Sequence, residues 1–143
     1  MQYSKSEDTY TIIINQGEEV IATITNLCQQ ENITNAYFRG IGAVDKLECG
    51  YYDLEKKEYF FTTYDTMLEV ASLTGNVMLK DDTPFVHMHG VFTDTTNNAF
   101  GGHVKEMRVG VTLEVIFTTL PQNHTRQLDE EIGLYLINCP AHS

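Results

Sequence analysis

Only one stretch of this sequence repeats its apolar residues at helical spacing, and nearly everything after it reads as strand. Val20, Ile21, Ile24, Leu27 and Cys28 recur at intervals that place them on one helix face. Glu18 and Glu19 precede them and are expected in the first turn, where the positive end of the helix dipole favours acids. The helix is expected to open after Gly17 and to run to about Glu31 or Asn32. Ahead of it, Thr9 to Asn15 (TYTIIIN) is β-branched and predicts a strand. After it, strands are expected over 35–41, 44–54, 59–64, 67–79, 85–93, 99–104, 108–119 and 134–138. Polar breaks separate several of these, notably Glu55-Lys56-Lys57, Asp81-Asp82-Thr83-Pro84 and Asp94 to Asn98. One principal N-terminal helix and many hairpins imply an α+β fold with a mainly antiparallel sheet.

At 143 residues the chain suits one domain, 1–143, and 42% hydrophobic residues can build its core. Nine Lys and Arg stand against 20 Asp and Glu, a formal net charge of −11. DNA binders release counterions with clustered cations, and here the longest basic run is Lys56-Lys57, flanked by Glu55 and Glu58. Nucleic acid and anionic membranes are therefore disfavoured as partners of the isolated chain. Cys28, Cys49 and Cys139 are odd in number and lack C-x-x-C spacing, which argues against a disulfide framework and a thiolate zinc site. No signal-peptide pattern or membrane-spanning apolar run is seen, so a cytoplasmic location is expected.

His87-Met88-His89 falls inside a predicted strand. Residues two apart on a strand share a face, so the two imidazoles point the same way, roughly 6–7 Å apart along the chain. If the following hairpin is symmetric about Thr96, Thr93 faces Ala99, Val91 faces Gly101, and His89 faces His103. A bulge at Gly101-Gly102 would shift that register by one. Unshifted, it gathers three imidazoles on one face. Three neutral imidazoles suit Zn²⁺ or a similar divalent ion and leave a coordination position open. Gly90, Gly101 and Gly102 leave room around the site. His124 and His142 have no such companions and are read as solvated.

Two further residues are candidates. Glu114 lies in the apolar run Val109 to Phe117, where a carboxylate is costly unless paired. It is read as a general base, as a group that orients a metal-bound histidine, or as a residue of a solvent face or subunit contact. Glu69 is a weaker case of the same kind. Arg39, beside Gly40-Ile41-Gly42, is read as a clamp for an anionic ligand or as one half of a salt bridge. The Gly-x-Gly is no dinucleotide fingerprint, because Asp45 stands where the third glycine is needed and a strand follows.

Gly40-Ile-Gly-Ala-Val44, Glu69-Val-Ala-Ser-Leu-Thr-Gly-Asn76, His87-Met-His89, Gly101-Gly-His103 and Thr112-Leu-Glu-Val115 occur in this order. Together they closely resemble the plant and prokaryote conserved (PPC) domain family, of the stand-alone prokaryotic type, over roughly Tyr10 to Cys139. The resemblance implies an α+β domain assembled as a homotrimer. It also implies a metal held by His87, His89 and His103. Plant members carry AT-hooks and bind DNA; this chain has no Arg-Gly-Arg-Pro hook and no basic extension.

Three functions follow as expectations. The first is a homotrimeric, metal-binding module, with zinc as the expected ion, that holds a small-molecule ligand or serves a regulatory role. The second is a metal-dependent enzyme of hydrolase or lyase type, with Glu114 as base. The third is the DNA binding that the family label suggests and the acidic charge disfavours. Trimerisation has a physical motive as well. The runs Leu68 to Leu79 and Val109 to Phe117 read as apolar on both faces, more sheet than one helix can cover.

Overall fold

The computed structural model describes residues 1–139. Nine strands and one helix follow in the order β1 (Gln2–Ser6), β2 (Thr9–Asn15), α1 (Val20–Gln30), β3 (Ala36–Asp53), β4 (Glu58–Tyr64), β5 (Leu68–Lys80), β6 (Thr83–Thr93), β7 (Ala99–Thr119), β8 (Thr125–Asp129) and β9 (Leu134–Asn138). The strands belong to one sheet, antiparallel except for a parallel bridge between β5 and β8. With α1 this is the α+β architecture expected. No helix among the described residues is long and apolar enough to cross a membrane.

Two long strands organise the sheet. β3 pairs with β4, β5 and β7, and β7 pairs with β2, β3 and β6. Because β6 also pairs with β5, the ladders β3–β5–β6–β7 form a closed circuit. The inward residues of that circuit, including Phe38, Val44, Leu73, Met88, Phe92, Val104, Leu113 and Phe117, are buried with the apolar face of α1.

Both long strands differ from expectation by being unbroken. Gly42 does not end β3; it marks a bulge, where the register with β5 and β7 shifts. A side chain there would collide with the Thr112 carbonyl, so only glycine permits this approach. Lys105 and Glu106 do not end the hairpin strand of β7 either. They pair across the sheet with Glu48 and Lys46 at 2.9 and 2.7 Å, which satisfies charges where an apolar pattern lapses.

The helix begins one turn's edge later than expected. Glu19 is its N-cap, accepting from the backbone N–H of Ile21 and Ala22, while Glu18 accepts from the Asn15 N–H and the N-terminal amine. At the other end Asn32 turns to φ 55° and the Ile33 N–H reaches the Cys28 carbonyl at 2.8 Å, a Schellman closure that buries Ile33. Cys28 faces the core, and burial pushes its thiol up to about 12.

Two strands lack the patterns that reveal strands in sequence. β1 is exposed throughout and lies at the sheet edge. β8 (TRQLD) is polar and is seated by Asn35, a buried amide that bonds the His124 backbone at both N–H and carbonyl, 2.9 and 3.1 Å. His124 is thus half-buried and its backbone is pinned, rather than freely solvated. His142 lies outside the described residues.

Candidate metal centre

The β6–β7 hairpin turns on Asp94. Its carboxylate accepts from the Thr96 hydroxyl (2.7 Å), the Thr96 N–H (2.8 Å) and the Asn98 N–H (3.1 Å), which hold it below the usual carboxylate range. The turn fixes the register: His89 opposes His103, Val91 opposes Gly101, and Thr93 opposes Ala99. No slip occurs at Gly101-Gly102.

Alternation along β6 sends Val86, Met88 and Phe92 inward and His87 and His89 to the other face. His103 on β7 joins them. Ring centroids lie 5.0 to 5.3 Å apart, and one ring nitrogen from each residue lies within 4.8 Å of the others. The Nε2 atoms of His87 and His89 are 3.2 Å apart. Two nitrogens bound to one tetrahedral zinc at about 2.0–2.1 Å stand roughly 3.3 Å apart, so this pair already has the spacing an ion requires.

Burial is the main cause that lowers each imidazole's pKa. His87 falls to about 4, helped by the nearby Arg126 guanidinium and the other two rings. His103 also falls to about 4, with His89 and Arg126 contributing, and His89 is lowered by burial alone. At neutral pH all three are uncharged, the state in which imidazole binds metal. The His103 ring is stacked by Tyr59 at 4.7 Å, and its Nδ1 is buried without a partner. Gly50 lies between His103 on β7 and Phe61 on β4 in the sheet, and a side chain there would collide with the Phe60 carbonyl, so glycine lets β4 approach. The donor set, its spacing and the orphaned nitrogen all fit a bound divalent ion.

Arg126, on β8, is a site residue that sequence reasoning missed. Only 7% exposed, it donates to the Tyr135 carbonyl (2.9 Å), to Asn76 Oδ1 (2.8 Å) and, at 3.2 Å, to Nδ1 of His87. A guanidinium can only donate, so Nδ1 of His87 accepts and its hydrogen sits on Nε2. Nothing in the local pattern Thr-Arg-Gln-Leu-Asp signals this contact.

Arg39 and Glu114 are brought together, but away from the histidines. Both are exposed on the outer face and line one cavity of about 390 Å³ with Ser72. Glu114 opposes Ile13 and Ile41, eleven residues along β7 from His103. Within one chain it does not stand beside the histidines as a base would. Arg39 has no ion pair among the described residues. Glu69 lies on the same face, in a neighbouring cavity that Glu114 also lines.

The sequence matches the family model of the Plants and Prokaryotes Conserved (PCC) domain over residues 1–121. The match ends before β8 and β9, which the motif resemblance had included. Similar solved structures include a plant- and prokaryote-conserved protein of Pyrococcus horikoshii, 33% identical, covering 99% of this chain and 97% of that one with a TM-score of 0.87. A metal-containing protein of Archaeoglobus fulgidus is 30% identical, with 96% of each chain covered and a TM-score of 0.84. A Ralstonia eutropha protein, provisionally named as DNA-binding, is 32% identical, with 96% of each covered and a TM-score of 0.90. No curated protein matches the sequence.

Proposed function

Because the chain belongs to the Plants and Prokaryotes Conserved domain family, we propose that it is a metal-binding member in which His87, His89 and His103 hold one divalent cation. Three neutral nitrogen donors suit zinc or a similar borderline divalent ion. The reading rests on the convergence of the three ring nitrogens within 4.8 Å on one face of the β6–β7 hairpin. The metal-containing relative from Archaeoglobus fulgidus supports it. With three protein donors the ion keeps a position open, which suits a protein that holds a small ligand or presents one to a regulatory assembly. Elemental analysis of protein purified without a histidine tag tests this. One equivalent of a divalent metal per chain, absent in His89→Ala, is expected; stoichiometric absence of Zn, Ni, Co, Fe and Mn overturns it.

A second reading is a metal-dependent enzyme acting on a small molecule. A cavity of about 230 Å³ that opens on His87 and His103 favours it. A bound ion would supply Lewis acidity there. In this single chain, the base would have to come from a residue other than Glu114.

The functional unit of either reading is a homotrimer. Tyr37, Ile41, Val111 and Ile116 lie on the outer face, each 40% or more exposed. β5 contributes less to that patch than its sequence suggests, since its outward residues are Glu69, Ala71, Ser72 and Thr74. DNA binding, suggested by the Ralstonia relative's name, is opposed by the net charge of −11. A gel shift at low salt with AT-rich duplex is expected to show no retardation.

A further inference from the structure

The 230 Å³ cavity beside the histidines has an unusual charge for this chain. Lys80 and Arg126 line it with Tyr59, Phe85, His87 and His103, and no carboxylate does. A chain with 20 acidic residues and nine basic ones has left two cations facing one hollow without an acid.

Neither cation is neutralised by a carboxylate among the described residues. The three acceptors of Arg126 are an amide oxygen, a carbonyl and an imidazole nitrogen, all neutral, and its Nε is buried without a partner. The Lys80 ammonium sits 3.6 Å from the Tyr135 ring centroid, and Phe85 lies under both cations at 5.6 and 5.2 Å. A buried charge without a counter-charge is costly, and aromatic faces offset only part of that cost. The two cations share this lining with the rings of Tyr59, Phe85 and Tyr135, two leucines and two imidazoles.

We infer that this cavity binds a small organic carboxylate, with its head between Arg126 and Lys80 and its apolar body against the Tyr59 and Phe85 rings. Arg126 keeps one Nη1 N–H beyond its bonds to Tyr135, Asn76 and His87, and the Lys80 ammonium supplies a second donor for the carboxylate. The apolar walls favour an organic anion over inorganic phosphate. At about 230 Å³ the space falls below that of drug-sized sites, so the ligand is small. This deepens the metal reading and rests on it only for the ion's share of the contact. The cavity is lined on one side by His87 and His103, two of the residues that would hold the ion.

Calorimetric titration of the full chain, dialysed free of metal and then loaded with zinc, tests the inference with benzoate, benzamide and inorganic phosphate as probes. Benzoate is expected to bind the metal-free protein at least tenfold more tightly than the neutral isostere benzamide. Lys80→Met, which keeps the stem and removes the charge, is expected to weaken benzoate several-fold. Arg126→Gln is expected to abolish measurable binding while circular dichroism shows the fold retained. If Arg126→Gln does not fold, Lys80→Met decides alone. Equal affinity for benzoate and benzamide, or unchanged benzoate affinity in Lys80→Met, overturns the inference, as does phosphate binding without benzoate binding. Failure of zinc to bind leaves the metal-free titration intact, so the metal reading and the carboxylate site fail separately.

Discussion

Arg126 points an N–H at Nδ1 of His87 from 3.2 Å, and the metal-binding tautomer of that ring requires the opposite arrangement. A histidine that ligates through Nε2 carries its hydrogen on Nδ1 and gives it to an acceptor. With Nδ1 accepting from Arg126, the Nε2 hydrogen of His87 faces Nε2 of His89 at 3.2 Å. Ligation through Nε2 would require that hydrogen on Nδ1, facing the donor Arg126, which also bonds Asn76 and the Tyr135 carbonyl.

Arg126→Gln should therefore bind zinc more tightly than the wild type. The amide carbonyl can accept from Nδ1–H, and a positive charge is removed from beside the ion. Groups that contact ligating histidines change metal affinity by about 10–100-fold, and here the sign is a gain. Competition against a chromophoric chelator at pH 7.5 measures it. Equal or weaker zinc affinity in the variant would show that Arg126 does not compete with the ion.

The histidines also set a pH dependence. Unfolded imidazoles titrate near 6.5, whereas His87 and His103 titrate near 4 in the folded chain. Between those values the unfolded state binds more protons than the folded state, so stability rises with pH through that window and falls as acid is added. Urea denaturation of metal-free protein at pH 7.5, 6 and 5 should show the loss. His103→Gln, which has no proton to gain there, should flatten it. The same depression should let His87 and His103 keep zinc below pH 6.5, since protons compete for those two rings near pH 4.

His89 separates metal binding from folding. It is the most exposed of the three rings, though partly desolvated, and faces away from the core residues Met88 and Phe92. His89→Ala should alter the stability of metal-free protein by no more than about 0.5 kcal/mol. Wild-type protein should gain about 2.7 kcal/mol with zinc at a hundredfold excess over its dissociation constant, and the variant should gain little. Thermal melts with and without zinc distinguish the two. A large loss in the metal-free variant would mean that the ring supports the fold itself.

The hairpin was legible because its two constraints are local. Side chains alternate with period two, and the Asp94–Asn98 turn is centred on Thr96, so the opposition of His89 and His103 could be counted from sequence. The long strands were less legible. Gly42 and the Lys105-Glu106 pair look like breaks when only the run of apolar residues is followed, yet they become a bulge and cross-strand ion pairs once β3 and β7 lie side by side. Arg126 was not legible at all. Its position depends on Asn35, 89 residues before His124 in the chain, and no local pattern encodes such a contact.

The outer face predicts assembly. Ile41 and Ile116 stand there 57% and 40% exposed. Light scattering should give three times the 16.2 kDa chain mass for the wild type and a smaller particle for Ile41→Asp, which places a charge in the apolar contact. A monomeric wild type would remove the homotrimer from both functional readings.

Asn35 offers the last test, because it links a buried amide to the cation at the site. Its side chain makes two bonds to the His124 backbone and is 2% exposed, and β8 with Arg126 begins at the next residue. Asn35→Ala leaves a backbone N–H and a carbonyl without partners. A loss of about 1–3 kcal/mol is expected for such an unmade contact. The loss should be uneven: amide exchange should quicken over Thr125–Asp129 while the β6–β7 hairpin stays protected, because that hairpin is closed by its own turn and by β5. If exchange rises equally in both segments, Asn35 supports the core as a whole, and the seating of Arg126 beside His87 must be ascribed to Asn76 and Tyr135 instead.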